Sequence, residues 1–205
     1  MEIKDFPKVT VILRGYTYSQ IRTVVKNLIG TELKAVEITM NTPDSISIIQ
    51  KISDEFGDSI KVGAGTVKTY KEADEAIKAG ATFLLSPVML SKEIIDLCKK
   101  NNVISVPGAY TPTEVNKSFD DGADIVKVFP AGTLGTKFLS DIQAPLGKLP
   151  LMVVGGINAE NVLNYFKAGA SFAGIASGIF NKDDILNENE ENIIRSIQYF
   201  ESNVE

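Results

Sequence analysis

The sequence predicts an α/β protein: one domain over residues 1–205, folded as a (β/α)8, or TIM, barrel. Three observations lead there. Apolar, β-rich runs alternate with amphipathic helical ones along the whole chain. The strand runs are continuously apolar, as in a parallel sheet covered on both faces. A glycine stop recurs between a helix and every second strand.

The first strand, Val9–Arg14, leads into a helix over Tyr18–Ile29 that Gly30 ends. Ala35–Met40 and Asp44–Phe56 form the second unit. Lys61–Thr66 is followed by Tyr70–Ala79, ended by Gly80. Thr82–Ser86 precedes Ser91–Lys100, whose apolar stripe carries Cys98. Val103–Pro107 precedes Thr113–Asp121, ended by Gly122. Asp124–Phe129 precedes Thr136–Ala144, and Leu151–Val154 precedes Ala159–Ala168, ended by Gly169. Phe172–Ala176 is the eighth strand. The repeat Ile29-Gly30-Thr31, Ala79-Gly80-Ala81, Asp121-Gly122-Ala123 and Ala168-Gly169-Ala170 places glycine where a helix ends in the left-handed conformation. Short connectors suit βα units. Polar, acidic Asn181–Asn192 reads as a solvated loop, and Glu190–Ser202 as a terminal helix packed outside. A doubly wound open sheet alternates in the same way and is the architectural runner-up.

Composition narrows the function. The chain is 44% hydrophobic and 23% charged, which suits one domain with a sizeable core. A net charge of −5 without a basic stripe argues against a nucleic-acid partner. No apolar run approaches the roughly 20 residues of a membrane helix. The segment from Met1 to Pro7 lacks the shape of a signal peptide, and a single cysteine excludes an internal disulfide, so a reducing, cytoplasmic setting is expected. On its helical stripe Cys98 reads as a buried structural thiol. There is no histidine, hence no Ser-His-Asp triad, no imidazole base and no HExxH zinc site. A zinc or copper site would need carboxylates alone, so neither metal nor cofactor is expected. Acid–base work falls to Glu, Asp, Lys or Tyr.

Against this background Lys127 stands out, in the apolar run Asp124-Ile125-Val126-Lys127-Val128-Phe129-Pro130. Burial of an unpaired ammonium costs several kcal/mol. Desolvation lowers its pKa, and a neutral amine attacks carbonyls, which points to Schiff-base chemistry. Barrel chemistry sits where strands end. Those ends hold Arg14, Glu37, Thr66, Pro87, Pro107, Lys127, Gly155-Gly156 and Ser177. Glu37, inside Ala35-Val36-Glu37-Ile38-Thr39-Met40, needs a partner or a raised pKa. The bland reading is a structural ion pair with Lys127. Gly63-Ala64-Gly65-Thr66 reads either as a turn capping the next helix or as a close backbone approach with a hydroxyl for a ligand oxygen. Gly155-Gly156-Ile157-Asn158 and Gly174-Ile175-Ala176-Ser177-Gly178 end strands seven and eight, where barrels often bind phosphate.

Taken in order, Val11-Ile12-Leu13-Arg14, Val36-Glu37-Ile38-Thr39, Val62-Gly63-Ala64-Gly65-Thr66-Val67, Leu85-Ser86-Pro87, Val106-Pro107-Gly108, Thr111-Pro112-Thr113-Glu114 and Val126-Lys127-Val128-Phe129-Pro130-Ala131 resemble the 2-keto-3-deoxy-6-phosphogluconate (KDPG) / 4-hydroxy-2-oxoglutarate (KHG) aldolases, from about Val9 to Phe180. The resemblance implies a metal-free class I aldolase, a lyase that is usually a homotrimer. It would cleave KDPG to pyruvate and glyceraldehyde 3-phosphate, an Entner–Doudoroff step, or 4-hydroxy-2-oxoglutarate to pyruvate and glyoxylate. Carried over by motif, Lys127 forms the imine and Glu37 shuttles protons, while Arg14 orients the substrate and holds that pair electrostatically. Thr66 binds the pyruvate carboxylate and Phe129 packs beside the imine. Gly155, Gly156 and Ser177 hold the phosphate.

Three positions depart from the family pattern. Met40-Asn41-Thr42 stands where many members have Leu-Arg-Thr, which removes a cation. Val153-Val154-Gly155-Gly156 replaces Pro-Thr-Gly-Gly, which removes a hydroxyl near the substrate carboxylate. Val88 follows Ser86-Pro87 where glycine is common. The imine machinery is intact and the substrate-reading shell is altered. 2-Keto-3-deoxy-6-phosphogalactonate is therefore a second candidate substrate. Two further readings stand beside the aldolase: a barrel resembling the thiamine-phosphate synthases, which use magnesium, and a non-catalytic sugar-phosphate-binding barrel.

Overall fold

The computed structural model describes residues 3–204; Met1, part of the segment read above for a signal peptide, lies outside them, as do Glu2 and Glu205. Nine strand segments form one parallel sheet: β1 Val9–Leu13, β2 Ala35–Thr39, β3 Lys61–Gly65, β4 Phe83–Leu85, β5 Ile104–Val106, β6 Gly108–Ala109, β7 Val126–Val128, β8 Leu151–Val154 and β9 Phe172–Ile175. Their spatial order is β5-β4-β3-β2-β1-β9-β8-β7-β6. β5 and β6 are two halves of one crossing, divided by Pro107, which has no N–H to give a ladder. The first half pairs with β4 and the second with β7, so the chain itself closes the ring. This is the eight-unit barrel expected from the alternation, and an open doubly wound order is ruled out.

The helices are α1 Tyr18–Leu28, α2 Ser45–Phe56, α3 Tyr70–Lys78, α4 Lys92–Lys100, α5 Pro112–Asp120, α6 Ala131–Leu146, α7 Val162–Lys167, α8 Lys182–Leu186 and α9 Glu190–Ser202. Three of them, α1, α3 and α5, start with a capping box, formed by Thr17 with Gln20, Thr69 with Glu72 and Thr111 with Glu114. Gly30, Gly80, Gly122 and Gly169 all take positive φ, between 85° and 108°, as the repeat predicts. Two expectations are corrected. The Asn181–Asn192 stretch is not all loop: Asn181 caps α8 by accepting from the Asp183 N–H, and Ile185 buries itself to anchor the turn. The helix read from Thr136 has a first helical piece before it, starting at Ala131, and the two meet at a kink where Gly135 (φ 73°) leaves the helical conformation. Among the described residues no helix is long and apolar enough to cross a membrane.

Alternation along each strand builds two cores. Outward residues such as Val11, Val36, Ile38, Val126, Val128 and Val153 pack against the helices. Inward residues Ile12, Phe83, Leu85, Ile104, Val106, Ile125, Met152 and Phe172 fill the barrel. Phe6 plugs the amino-terminal end, its ring edge-on to Phe83 at 5.1 Å and to Phe172 at 5.5 Å. Above this apolar floor the inward positions become polar.

Candidate active site

The polar layer follows from register. Glu37 pairs with Ile12 on β1 and Gly63 on β3, and Lys127 pairs with Gly108 on β6 and Met152 on β8. Both side chains are inward-facing and nearly inaccessible, Glu37 at 1% and Lys127 at 5%. Neither is rescued by a short polar contact. Glu37 Oε2 has no hydrogen-bond partner, and among the described residues the two make no salt bridge within 4.0 Å. The Lys127 Nζ lies over the Phe129 ring, 4.8 Å from its centroid.

Burial is the largest influence on both groups. It pushes the Glu37 carboxyl above its usual range, opposed by attraction to Lys127 and then Arg14. It pushes the Lys127 amine below the usual lysine range; Glu37 opposes that shift and Arg14 reinforces it. Each shift runs towards the neutral form of its group, the acid for Glu37 and the free amine for Lys127. Arg14, just beyond β1, is exposed and acts on both through space.

Around this pair the strand ends are locked to one another. Thr42, which is buried, accepts a hydrogen bond from the Gly15 N–H at 2.9 Å and shares one with Thr39 at 3.0 Å. That clamp joins the loop carrying Arg14 to the end of β2. Thr66 is half-buried after β3 with φ 59°, a strained position for a β-branched residue. It does not cap the next helix; Thr69 does. Beyond β8, Gly155 and Gly156 are both left-handed, at φ 93° and 76°. The Gly155 carbonyl accepts from the Gly132 N–H at 2.8 Å, which draws the start of α6 to this turn. Ser177 is exposed in the turn after β9, and Gly178 beside it presses on the β8 loop: a Cβ there would fall 2.9 Å from Asn158 Cα.

The sequence-selected residues thus divide into two neighbouring groups at one mouth: Lys127, Glu37, Phe129 and Arg14, with Thr66 at the rim, and Gly155, Gly156 and Ser177 on two touching loops. Thr42 was not singled out as a site residue, and Gly65 stood only within Gly63-Ala64-Gly65-Thr66, read there as a turn or a close backbone approach. The inward alternation Ala35, Glu37, Thr39 was the available signal for the threonine clamp. Two surface clefts, one between α5 and α6 and one under the amino-terminal face, contain neither Lys127 nor Glu37. Cys98 is fully buried and its thiol is pushed up to about 12, by desolvation first and Asp124 second, which leaves it an inert packing residue. Among the described residues no cluster of acidic or cysteine side chains is suited to holding a metal ion.

Residues 2–196 match the family described as KDPG and KHG aldolase. The chain belongs to that family. It is an aldolase, a carbon–carbon lyase. It is 31% identical to the 2-dehydro-3-deoxy-6-phosphogalactonate aldolase of Escherichia coli K12, covering 82% of each chain. It is 33% identical to the 2-dehydro-3-deoxy-phosphogluconate aldolase of Pseudoalteromonas atlantica, over 69% of this chain and 66% of that one. A native KDPGal structure superposes with a TM-score of 0.84 at 25% identity, covering 100% of this chain and 99% of the other.

Proposed function

We propose that this aldolase works by a class I mechanism through Lys127, cleaving 2-keto-3-deoxy-6-phosphogluconate to pyruvate and glyceraldehyde 3-phosphate. The observation that carries the reading is a buried amine whose burial favours its neutral form, held opposite a buried acid whose Oε2 has no hydrogen-bond partner. The neutral Nζ attacks C2 of the keto acid, and Glu37 protonates the departing oxygen, so that water leaves and an iminium forms. Glu37, now a carboxylate, removes the C4 hydroxyl proton; the C3–C4 bond breaks and its electron pair enters the iminium as an enamine. The aldehyde departs. Glu37 returns the proton to C3, and water hydrolyses the imine to release pyruvate and the free lysine. The cationic imine is the electron sink, so no metal is required. Arg14 orients the substrate, Thr66 takes the carboxylate, Phe129 packs beside the imine, and Gly155, Gly156 and Ser177 receive the phosphate.

A second substrate reading, the C4 epimer 2-keto-3-deoxy-6-phosphogalactonate, is favoured by one observation. The match to the galactonate-named relative spans more of the chain than the match to the gluconate-named one, 82% against 69%. Val154, inward-facing and 5% exposed, puts a methyl where a hydroxyl is expected. Parallel kcat/KM measurements on the two epimers and on 4-hydroxy-2-oxoglutarate separate the readings. Cleavage of gluconate at least tenfold faster supports the first, and the reverse ratio the second. Activity should persist in excess EDTA; a magnesium requirement would instead support synthase-like chemistry. A homotrimer in the cytoplasm is the assembly and setting that go with this reading, and light scattering at the expected trimer mass checks the first.

A further inference from the structure

We propose that Gly65 is a positioning residue: it leaves open the notch that holds the Glu37 carboxylate on the β3 side and keeps it from collapsing onto Lys127. The functional meaning rests on the aldolase reading, whereas the packing does not. In the β2–β3 register Thr39 sits opposite Gly65, so Glu37, two residues earlier on the same face, is its diagonal neighbour. A Cβ built on Gly65 would lie 2.5 Å from Glu37 Cγ and would overlap Oε1 and Cδ. The carboxylate thus occupies the volume of the absent side chain.

Backbone conformation does not ask for this glycine. Gly65 lies within β3 and is not among the residues with positive φ. An interior strand glycine weakens the strand, and close approach is the usual reason for one. Nor does a polar contact hold Glu37: its Oε2 is unpartnered, and among the described residues it forms no salt bridge with Lys127 or Arg14. The notch is what fixes its position.

The consequence falls on Lys127. Facing it are Glu37 from β2, Arg14 beyond β1 and the Phe129 ring, while its ladder partners Gly108 and Met152 carry no titratable group. A methyl at position 65 would drive the carboxylate out of the notch towards the barrel axis and the amine. Wherever Glu37 is ionised, its charge brought closer to the amine holds Lys127 protonated, and a protonated amine is not a nucleophile.

Two measurements on the intact protein test this. The first is the pH profile of pyruvate imine formation, trapped by borohydride, for wild type and Gly65→Ala. The midpoint should rise by about one pH unit in the variant; a loss of rate without a change in midpoint would mean a merely structural glycine and overturn the proposal. The second is a thermal-unfolding cycle with Glu37→Ala. Gly65→Ala should lower Tm in the wild-type background and leave it unchanged when residue 37 is alanine, since the notch is then empty. Equal destabilisation in both backgrounds overturns the proposal, and if the single variant does not fold, recovery of folding in the double variant supports it. Absence of any adduct in wild type would sink the aldolase reading while leaving the cycle to judge the notch.

Discussion

Glu37 is a carboxyl group enclosed by apolar strand residues, with Lys127 and Arg14 acting on it only through space. Because its folded pKa is raised, folding favours the protonated form. The stability this gives is present below the ordinary carboxylate range and is lost as pH rises through the raised value. Glu37→Gln, neutral at every pH, should therefore match wild type below about pH 4 and gain on it above, by about 1.4 kcal/mol for each pH unit that separates the raised pKa from the ordinary one. Thermal scans at several pH values check this, with about 2–4 °C expected per kcal/mol at this chain length. A gain at acid pH only would reverse the sign and contradict the assignment. Lys127→Ala should abolish adduct formation with pyruvate, and full lyase activity in that variant would refute the mechanism. Lys127 and Glu37 were legible in the sequence because a charge in an apolar run is locally anomalous. Thr42 was not, and for Gly65 only a close approach of some kind was legible, because each acts across a strand pair whose register no short segment contains.

At the scale of elements, the helices owe their starts to reciprocal side chain–backbone bonds. In α3 the Glu72 carboxylate accepts from the Lys68 and Thr69 N–H groups at 2.8 and 3.0 Å, while the Glu72 N–H donates to Thr69 Oγ1. Thr69→Ala should lower stability by about 1 kcal/mol, read from denaturant midpoints, with kcat unchanged. Strand and helix types followed from periodicity, but two element boundaries did not. α8 is a single capped turn, too short to show a period, and α6 has a short first piece before the kink at Gly135, also too short to show one. The fifth strand read as one run, and it is split because proline leaves the ladder without a donor at position 107.

For the whole molecule, closure of the barrel converts eight local units into one site. The apolar plug of Phe6 with Phe83 and Phe172 seals one end, and the polar layer opens at the other. Phe6→Ala should cost about 3–5 kcal/mol by leaving a cavity at the floor, with a large fall in Tm and little change in the pH profile of the remaining activity. The barrel and the location of its mouth were legible because glycine stops and continuous apolar strands recur through the chain. The choice of sugar acid was not, since no repeated pattern in the chain encodes it. Whether Lys127 is the imine-forming amine is read by borohydride trapping with pyruvate followed by intact mass and peptide mapping. A single reduced pyruvate adduct is expected on the peptide containing Lys127; a folded protein that gives no adduct, or one carried on another lysine, would contradict that role.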